Sequence, residues 1–124
     1  MQLRESGEMY LETIYVLSKI SDEVHRIDIC EKMNFSKPSV SRAMGLLKNG
    51  GYITIDSNSH IFLTEIGREV AEKIFERHTV LSVFLEKLGV RSDVASEDAC
   101  RIEHVISDET FDAIKAFVKK ELDT

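Results

Sequence analysis

"NFSKPSVSRAMGLLKNGGY", Asn34 to Tyr52, carries a helix with both of its ends marked. Ser36 is a start signal, because a serine side chain can accept a hydrogen bond from a first-turn N–H that has no partner within the helix. Pro38 falls in the first turn, where a missing N–H costs nothing. Val40, Ala43, Met44 and Leu47 recur at helical spacing as one apolar stripe, and Gly50 with Gly51 ends the helix. Directly after it, "GYITIDSNSHIFLT" (Gly51 to Thr64) alternates apolar and polar residues about the polar turn Asp56-Ser57-Asn58-Ser59, which predicts a two-stranded hairpin.

Upstream of this pair, the spacing predicts a helix from about Glu5 to Ile20 with Tyr10, Leu11, Ile14 and Leu17 as its buried stripe, then a short helix from about Arg26 to Met33. Downstream it predicts a long helix from about Glu65 to Leu88, a break at "GVRSD", and helices over about Val94 to Ile106 and Asp108 to Leu122. Helix, short helix, tight turn, capped helix and hairpin is the order of a winged helix-turn-helix, in which the third helix enters the major groove and the hairpin meets the flanking backbone. The expected fold is therefore mainly α, with a winged-helix DNA-binding domain over residues 1–63 and a helical domain over 64–124. Val80, Leu81, Val83, Phe84, Leu85 and Leu88 outnumber what one small core needs, so the helical half is expected to form a homodimer.

A net charge of -6 argues at first against nucleic acid, so its distribution matters more than its total. Residues 1–62 carry 7 Lys and Arg against 8 Asp and Glu, whereas residues 63–124 carry 9 against 14. Between Lys32 and Ile55 there are Lys32, Lys37, Arg42 and Lys48 and no acid at all. On the third helix the residues opposite the apolar stripe are Lys37, Ser39, Ser41, Arg42 and Lys48: short hydroxyl side chains that permit close approach, and cations that neutralise phosphates. Together with Arg26, Ser36 and Pro38 they form the expected contact set for double-stranded DNA. A solvated helix face with a few cations would look similar, and the absence of acids plus the adjoining hairpin favour DNA. No stretch reaches the roughly 20 apolar residues of a membrane span and the start of the chain is charged, so a cytoplasmic location is expected. Cys30 and Cys100, far apart in sequence, are not expected to form a disulfide; Cys30 reads as core packing.

"EDACRIEHVIS", Glu97 to Ser107, raises a different chemistry. Read as helix, it places Cys100, Glu103 and His104 at i, i+3 and i+4 on one face. Each alone is ordinary: a small buried hydrophobe, a solvated charge, a core histidine. Together they are thiolate, carboxylate and imidazole, the donors that first-row divalent ions accept. Further donors stand on other helices. Met9 and Glu12 share a face of the first helix, and His78 lies four residues after Ile74 and three before Leu81 on the stripe that packs inward. No nucleophile and base pair accompanies these ligands, so no enzymatic activity and no small organic substrate are expected.

"EMYLETIYVL", "KPSVSRAMGLLKNGGYI", "LTEIGREVAEKIFERH" and "EDACRIEHVISDE" run through nearly the whole chain, and in this order they resemble the metal-dependent repressors of the diphtheria toxin repressor family. The resemblance implies a transcriptional repressor with a metal corepressor, in a short form without the SH3-like third domain of many members. It implies a primary site of Met9, Cys100, Glu103 and His104 in the iron manner, or a paired site of Met9, Glu12, His78, Cys100, Glu103 and His104 in the manganese manner. The chain is a hybrid, with the Met and Cys of the iron type and the Glu12 of the manganese type, so Fe(II) or Mn(II) is the expected ion, with other first-row divalent ions binding in vitro. Two positions of the iron type's ancillary site fall on Ser82 and Ser96, whose hydroxyls are poor replacements for a carboxylate and an imidazole. Ligands on helices of both halves would restrict the spacing of the two recognition helices of a dimer, which must lie ~34 Å apart to enter successive major grooves. A winged-helix regulator that senses an organic ligand or thiol oxidation, without metal, is the alternative.

Overall fold

The computed structural model describes Leu3 and residues 5–123. Its elements are α1 (Glu5–Ile20), α2 (Arg26–Met33), α3 (Lys37–Asn49), β1 (Ile53–Ile55), β2 (Ile61–Leu63), α4 (Glu65–Lys87), α5 (Ser92–Ile102) and α6 (Asp108–Leu122). Packing divides the chain into one unit that ends at Glu72 and another that begins at Lys73. The division of packing falls inside α4, because the first turns of that helix contribute Val70 and Ala71 to the core of the first unit.

In the first unit, α3 starts on the Ser36 hydroxyl, which accepts the N–H of Ser39 at 3.4 Å, and has Pro38 in its first turn. Asn34 makes the sharp exit from α2 in the left-handed conformation (φ 57°), one of the few places where a non-glycine residue takes it readily. Gly51, at φ 83°, turns the chain from α3 into the hairpin. β1 and β2 pair antiparallel with Ile53 opposite Leu63 and Ile55 opposite Ile61. Their turn is organised by Asp56, whose carboxylate accepts the N–H groups of Asn58 and His60, both at 2.9 Å. These bonds, the His60 amide first, hold the Asp56 carboxyl below the usual carboxylate range. Tyr10, Leu11, Ile14, Val24, Ile29, Cys30, Val40, Met44, Leu47, Ile53 and Ile61 bury their side chains together, so one core joins the three helices to the inner face of the hairpin. Leu17, expected in this stripe, packs at the margin of the core.

Thr64 links the hairpin to α4. Its hydroxyl donates to the Gly51 carbonyl at 2.7 Å and accepts the N–H of Gly67 at 3.1 Å, while its own N–H donates to the Tyr52 carbonyl. At Gly67 the helix backbone passes so close to the hairpin that an added Cβ would stand 2.0 Å from the Tyr52 carbonyl oxygen. A side chain there must push backbone away from backbone.

In the second unit, α4 ends at Gly89 (φ 102°), where the N–H groups of Gly89 and Val90 satisfy the carbonyls of Glu86 and Leu85. Ile74, Leu81, Ala95, Ala99, Phe111 and Val118 are buried. α5 corrects the sequence reading: it starts at Ser92 and stops at Ile102, leaving Glu103 as its C-terminal cap and His104 in the turn that follows. One local and one tertiary feature accompany its end. Ser107 must be extended (φ -72°, ψ 158°) to cap α6. The buried Arg77 guanidinium takes the carbonyls of Glu103 and Ile106, at 3.0 and 2.8 Å, which a continuing helix would have bonded to later N–H groups.

Gly67→Ala is expected to destabilise the protein by about 1–3 kcal/mol through this overpacking, read as a lowered midpoint in thermal or denaturant unfolding. An unchanged midpoint would mean that α4 and the hairpin separate without cost, against the close approach described.

Candidate metal centre and nucleic-acid face

Glu103 is the deepest charged group of the second unit, with its side chain 0% exposed. A buried carboxylate is costly unless hydrogen bonds or opposite charge replace the lost water. Two imidazoles flank it. His78 Nδ1 lies 3.0 Å from Oε2, and His104 Nε2 lies 3.3 Å from Oε1, although Oε1 accepts no hydrogen bond among the described residues. Cys100, one helical turn earlier on α5, is exposed rather than buried, and one ligand atom each from His78, Cys100 and Glu103 lies within 4.8 Å of the others. An ion bound at usual distances of 2.0–2.3 Å to such donors would need them roughly 3–4 Å apart, a small closing movement for an exposed thiol. The site is thus built from one carboxylate that lacks a full complement of partners, two imidazoles and a thiol, a donor set suited to a first-row divalent ion.

Arg77 positions this centre and was not among the residues that the sequence singled out. It is 6% exposed, whereas the side chain of His78, the residue assigned to the inward stripe, keeps 25% of its surface. Ile74, Arg77 and Leu81 are spaced three and four apart, so a signal was present: an arginine on an apolar stripe has been buried for a reason. Besides the two carbonyls, Arg77 Nη2 pairs with Asp108, which Lys73 also reaches at 3.0 Å. Hydrogen bonding and charge from Lys73, then from Arg77, hold the Asp108 carboxyl below its ordinary range. Of the two expected weak positions, Ser82 has its hydroxyl buried without a hydrogen-bond partner among the described residues, and Ser96 is exposed.

In the first unit, Met9 and Glu12 are half-buried on α1. Arg26, Ser36, Lys37, Pro38, Ser39, Ser41, Arg42 and Lys48 are all exposed. The structure adds one refinement: the hydroxyls of Ser36 and Ser39 bond each other at 2.9 Å, so their first task is to cap α3. Lys37, Ser41, Arg42 and Lys48 stand opposite the buried Val40, Met44 and Leu47, a basic face on a helix fixed by its own core. No helix among the described residues is long and apolar enough to cross a membrane.

Two family models match the chain. Residues 2–61 match the N-terminal DNA binding domain of the iron dependent repressor, and residues 64–121 match the metal binding and dimerisation domain of the iron dependent repressor. An uncharacterized HTH-type transcriptional regulator of Methanocaldococcus jannaschii is 34% identical over 95% of this chain and 96% of its own length. The transcriptional regulator MntR of Escherichia coli is 33% identical over 94% of this chain and 76% of its own. Among solved structures, the manganese regulator SloR superposes with a TM-score of 0.82 at 29% identity over 96% of this chain. A manganese-dependent transcriptional repressor in complex with manganese gives 0.83 at 28% identity over 91%. The chain spans about half of these two solved chains, 55% and 52% respectively.

Arg77→Ala is expected to cost about 3 kcal/mol or more, since it removes charged hydrogen bonds to two carbonyls and strands them. Arg77→Lys should recover only part, because one ammonium nitrogen cannot replace both Nη1, which serves the two carbonyls, and Nη2, which pairs with Asp108; equal stability of all three proteins in urea would refute the bracket. The lowered Asp108 pKa makes stability complete above the usual carboxylate value of ~3.9 and lost as pH falls through the lowered value. Asp108→Asn should therefore lower the melting temperature at neutral pH and leave a flatter decline below pH ~4, and an unaltered acid limb would sink that assignment.

Proposed function

The chain belongs to the iron-dependent repressor family, and we propose that it is a metal-ion-responsive transcriptional repressor that takes Fe(II) or Mn(II) as corepressor and binds palindromic operator DNA as a homodimer. The observation that carries the reading is the Glu103 carboxylate, buried between His78 and His104 with the Cys100 thiol close by, in a chain whose other half presents a basic helix. A divalent cation, when bound, supplies the positive charge that the buried carboxylate needs and favours the thiolate form of Cys100.

The rest is done by the chain. His78 orients one oxygen of Glu103, and Arg77 fixes the backbone on which Glu103 and His104 stand. Met9 and Glu12, three residues apart on one face of α1, join the ligand set that the resemblance implies. Lys37, Arg42 and Lys48 neutralise phosphates, Arg42 being long enough to reach a guanine edge, while Ser41 lets α3 approach closely. Arg26, Ser36, Pro38 and Ser39 complete the contact surface around the start of α3. Residues 1–63 make up the DNA-binding domain and 64–124 the metal-binding and dimerisation domain; Leu88, 64% exposed, and the half-buried Val80, Val83, Phe84 and Leu85 supply apolar surface for a second copy. The thiol favours Fe(II) and the carboxylates favour Mn(II), so the two ions stand as alternatives.

The test is selection of random duplex DNA by the metal-free protein, with and without Mn(II) or anaerobic Fe(II). An inverted repeat should be enriched only with metal, with a coupling of about 1–3 kcal/mol, and Glu103→Ala or His104→Ala should abolish that dependence. Arg42→Ala should cost about 1–3 kcal/mol of operator affinity with relaxed specificity at one base pair. Enrichment of the same repeat without metal, lost on oxidation and restored in Cys100→Ser, would replace the metal switch with a thiol sensor on the exposed Cys100.

A further inference from the structure

The chain has four histidines, and the centre described above uses two of them. The other two, His25 and His60, meet in the first unit with their ring centroids 4.7 Å apart and nearly perpendicular, at 69°. His25 begins the approach to α2; His60 closes the hairpin turn just before β2. Glu23, two residues before His25, joins them: one ligand atom from each of Glu23, His25 and His60 lies within 4.8 Å of the others. We propose that these three residues form a second cation site, for a Zn(II)-class divalent ion, that staples the hairpin to the segment between α1 and α2.

Three independent features of the molecule build this site. The backbone is already fastened there, since the Ile61 N–H donates to the Val24 carbonyl at 2.8 Å, which fixes the segment bearing Glu23 and His25 alongside β2. His25 is set by its own N–H, which donates to the Asp28 carboxylate at 2.8 Å, and the Ser21 hydroxyl accepts the N–H of Glu23 at 3.1 Å. His60 is oriented from behind: its Nδ1 lies 3.3 Å from Asp56 Oδ2, and Asp56 is itself anchored by the turn amides. With Nδ1 donating to that carboxylate, Nε2 carries the lone pair. Histidine ligands of metal ions commonly show this arrangement, with a carboxylate fixing tautomer and ring direction.

The chemistry differs from that of the first centre. Two imidazoles and one carboxylate, with no thiol, suit Zn(II), Co(II) or Ni(II) above Mn(II) in the usual affinity order, and three protein ligands leave a coordination position for water. The site lies wholly in the unit that carries α3, so its occupancy bears on the hairpin's order and not on the Glu103 centre.

The experiment is a Zn(II) titration of the metal-free, full-length protein followed by imidazole 1H–15N correlation spectra, in which the four histidines report separately. The ring resonances of His25 and His60 should shift together and saturate, with Mg(II) causing no such change. Glu23→Gln, an exposed substitution, should weaken their response at least about tenfold, and Asp56→Asn, which leaves the ligands but removes the orienting carboxylate, about 10–100-fold. Backbone amide spectra report whether each variant keeps the hairpin; if Asp56→Asn loses it, Glu23→Gln decides. Resonances of His25 and His60 that ignore excess Zn(II), or that respond equally in Glu23→Gln, would overturn the site. Movement of His78 and His104 alone would do the same while leaving the proposed function intact, and movement of His25 and His60 alone would establish this site while counting against the Glu103 centre.

Discussion

The grip of Arg77 on the carbonyls of Glu103 and Ile106 is the constraint on which the second unit depends. A helix that continued through "CRIEHVIS" would spend those carbonyls on its own N–H groups, and Ser107 could not then open to cap α6. By donating to both carbonyls, one guanidinium ends α5, frees α6 to begin, and leaves Glu103 and His104 on a turn whose backbone is fixed from the side. The flat fork of arginine lets Nη1 serve both carbonyls while Nη2 reaches a separate partner, so several donors act from one buried group. Asp108, the first residue of α6, pairs with the same guanidinium and so ties the start of that helix to the end of the preceding one.

The first unit has a different organisation, in which one shared apolar core and one steric contact do most of the work. Val40, Met44 and Leu47 give α3 its buried side and thereby decide which of its residues face water. The close pass of Gly67 beneath Tyr52, together with the three hydrogen bonds of Thr64, sets where the hairpin stands relative to the start of α4. A basic helix is useful for recognition only if its exposed face is presented in one orientation, and here that orientation follows from packing on the opposite side.

Much of this was legible in the sequence because its signals are local. The bounds of α1, α2 and α6 match the spacing of apolar residues, and α3 is bracketed by Ser36, Pro38, Gly50 and Gly51, each acting within a turn of its own position. The end of α5 was not legible, because nothing between Cys100 and Ile106 breaks a helix; what stops it is an arginine 26 residues earlier in the chain. The same long-range contact explains why the stripe of α4 suggested His78 as the inward group when Arg77 goes deeper. The pairing of Cys100 with Glu103 survives the shorter helix, since the Glu103 N–H still bonds the Ala99 carbonyl and keeps one helical turn between them. The Glu23, His25 and His60 cluster could not be seen along the chain, because it depends on the bond between β2 and the segment before α2.

A net charge of -6 and the proposed operator-binding role are compatible for a physical reason. At physiological ionic strength exposed charges act over about 8 Å, so phosphates docked on α3 respond chiefly to what stands near it. Along residues 32–55 that is four cations and no acid, and all the cations of α3 are exposed. The sum of the charge governs something else, the sequence-independent attraction that any cationic protein has for DNA. An acidic protein with a confined basic face keeps that attraction low, so in the proposed role the discrimination between operator and bulk DNA rests on the few groups that reach the bases, and a corepressor needs to add only a modest coupling to switch occupancy.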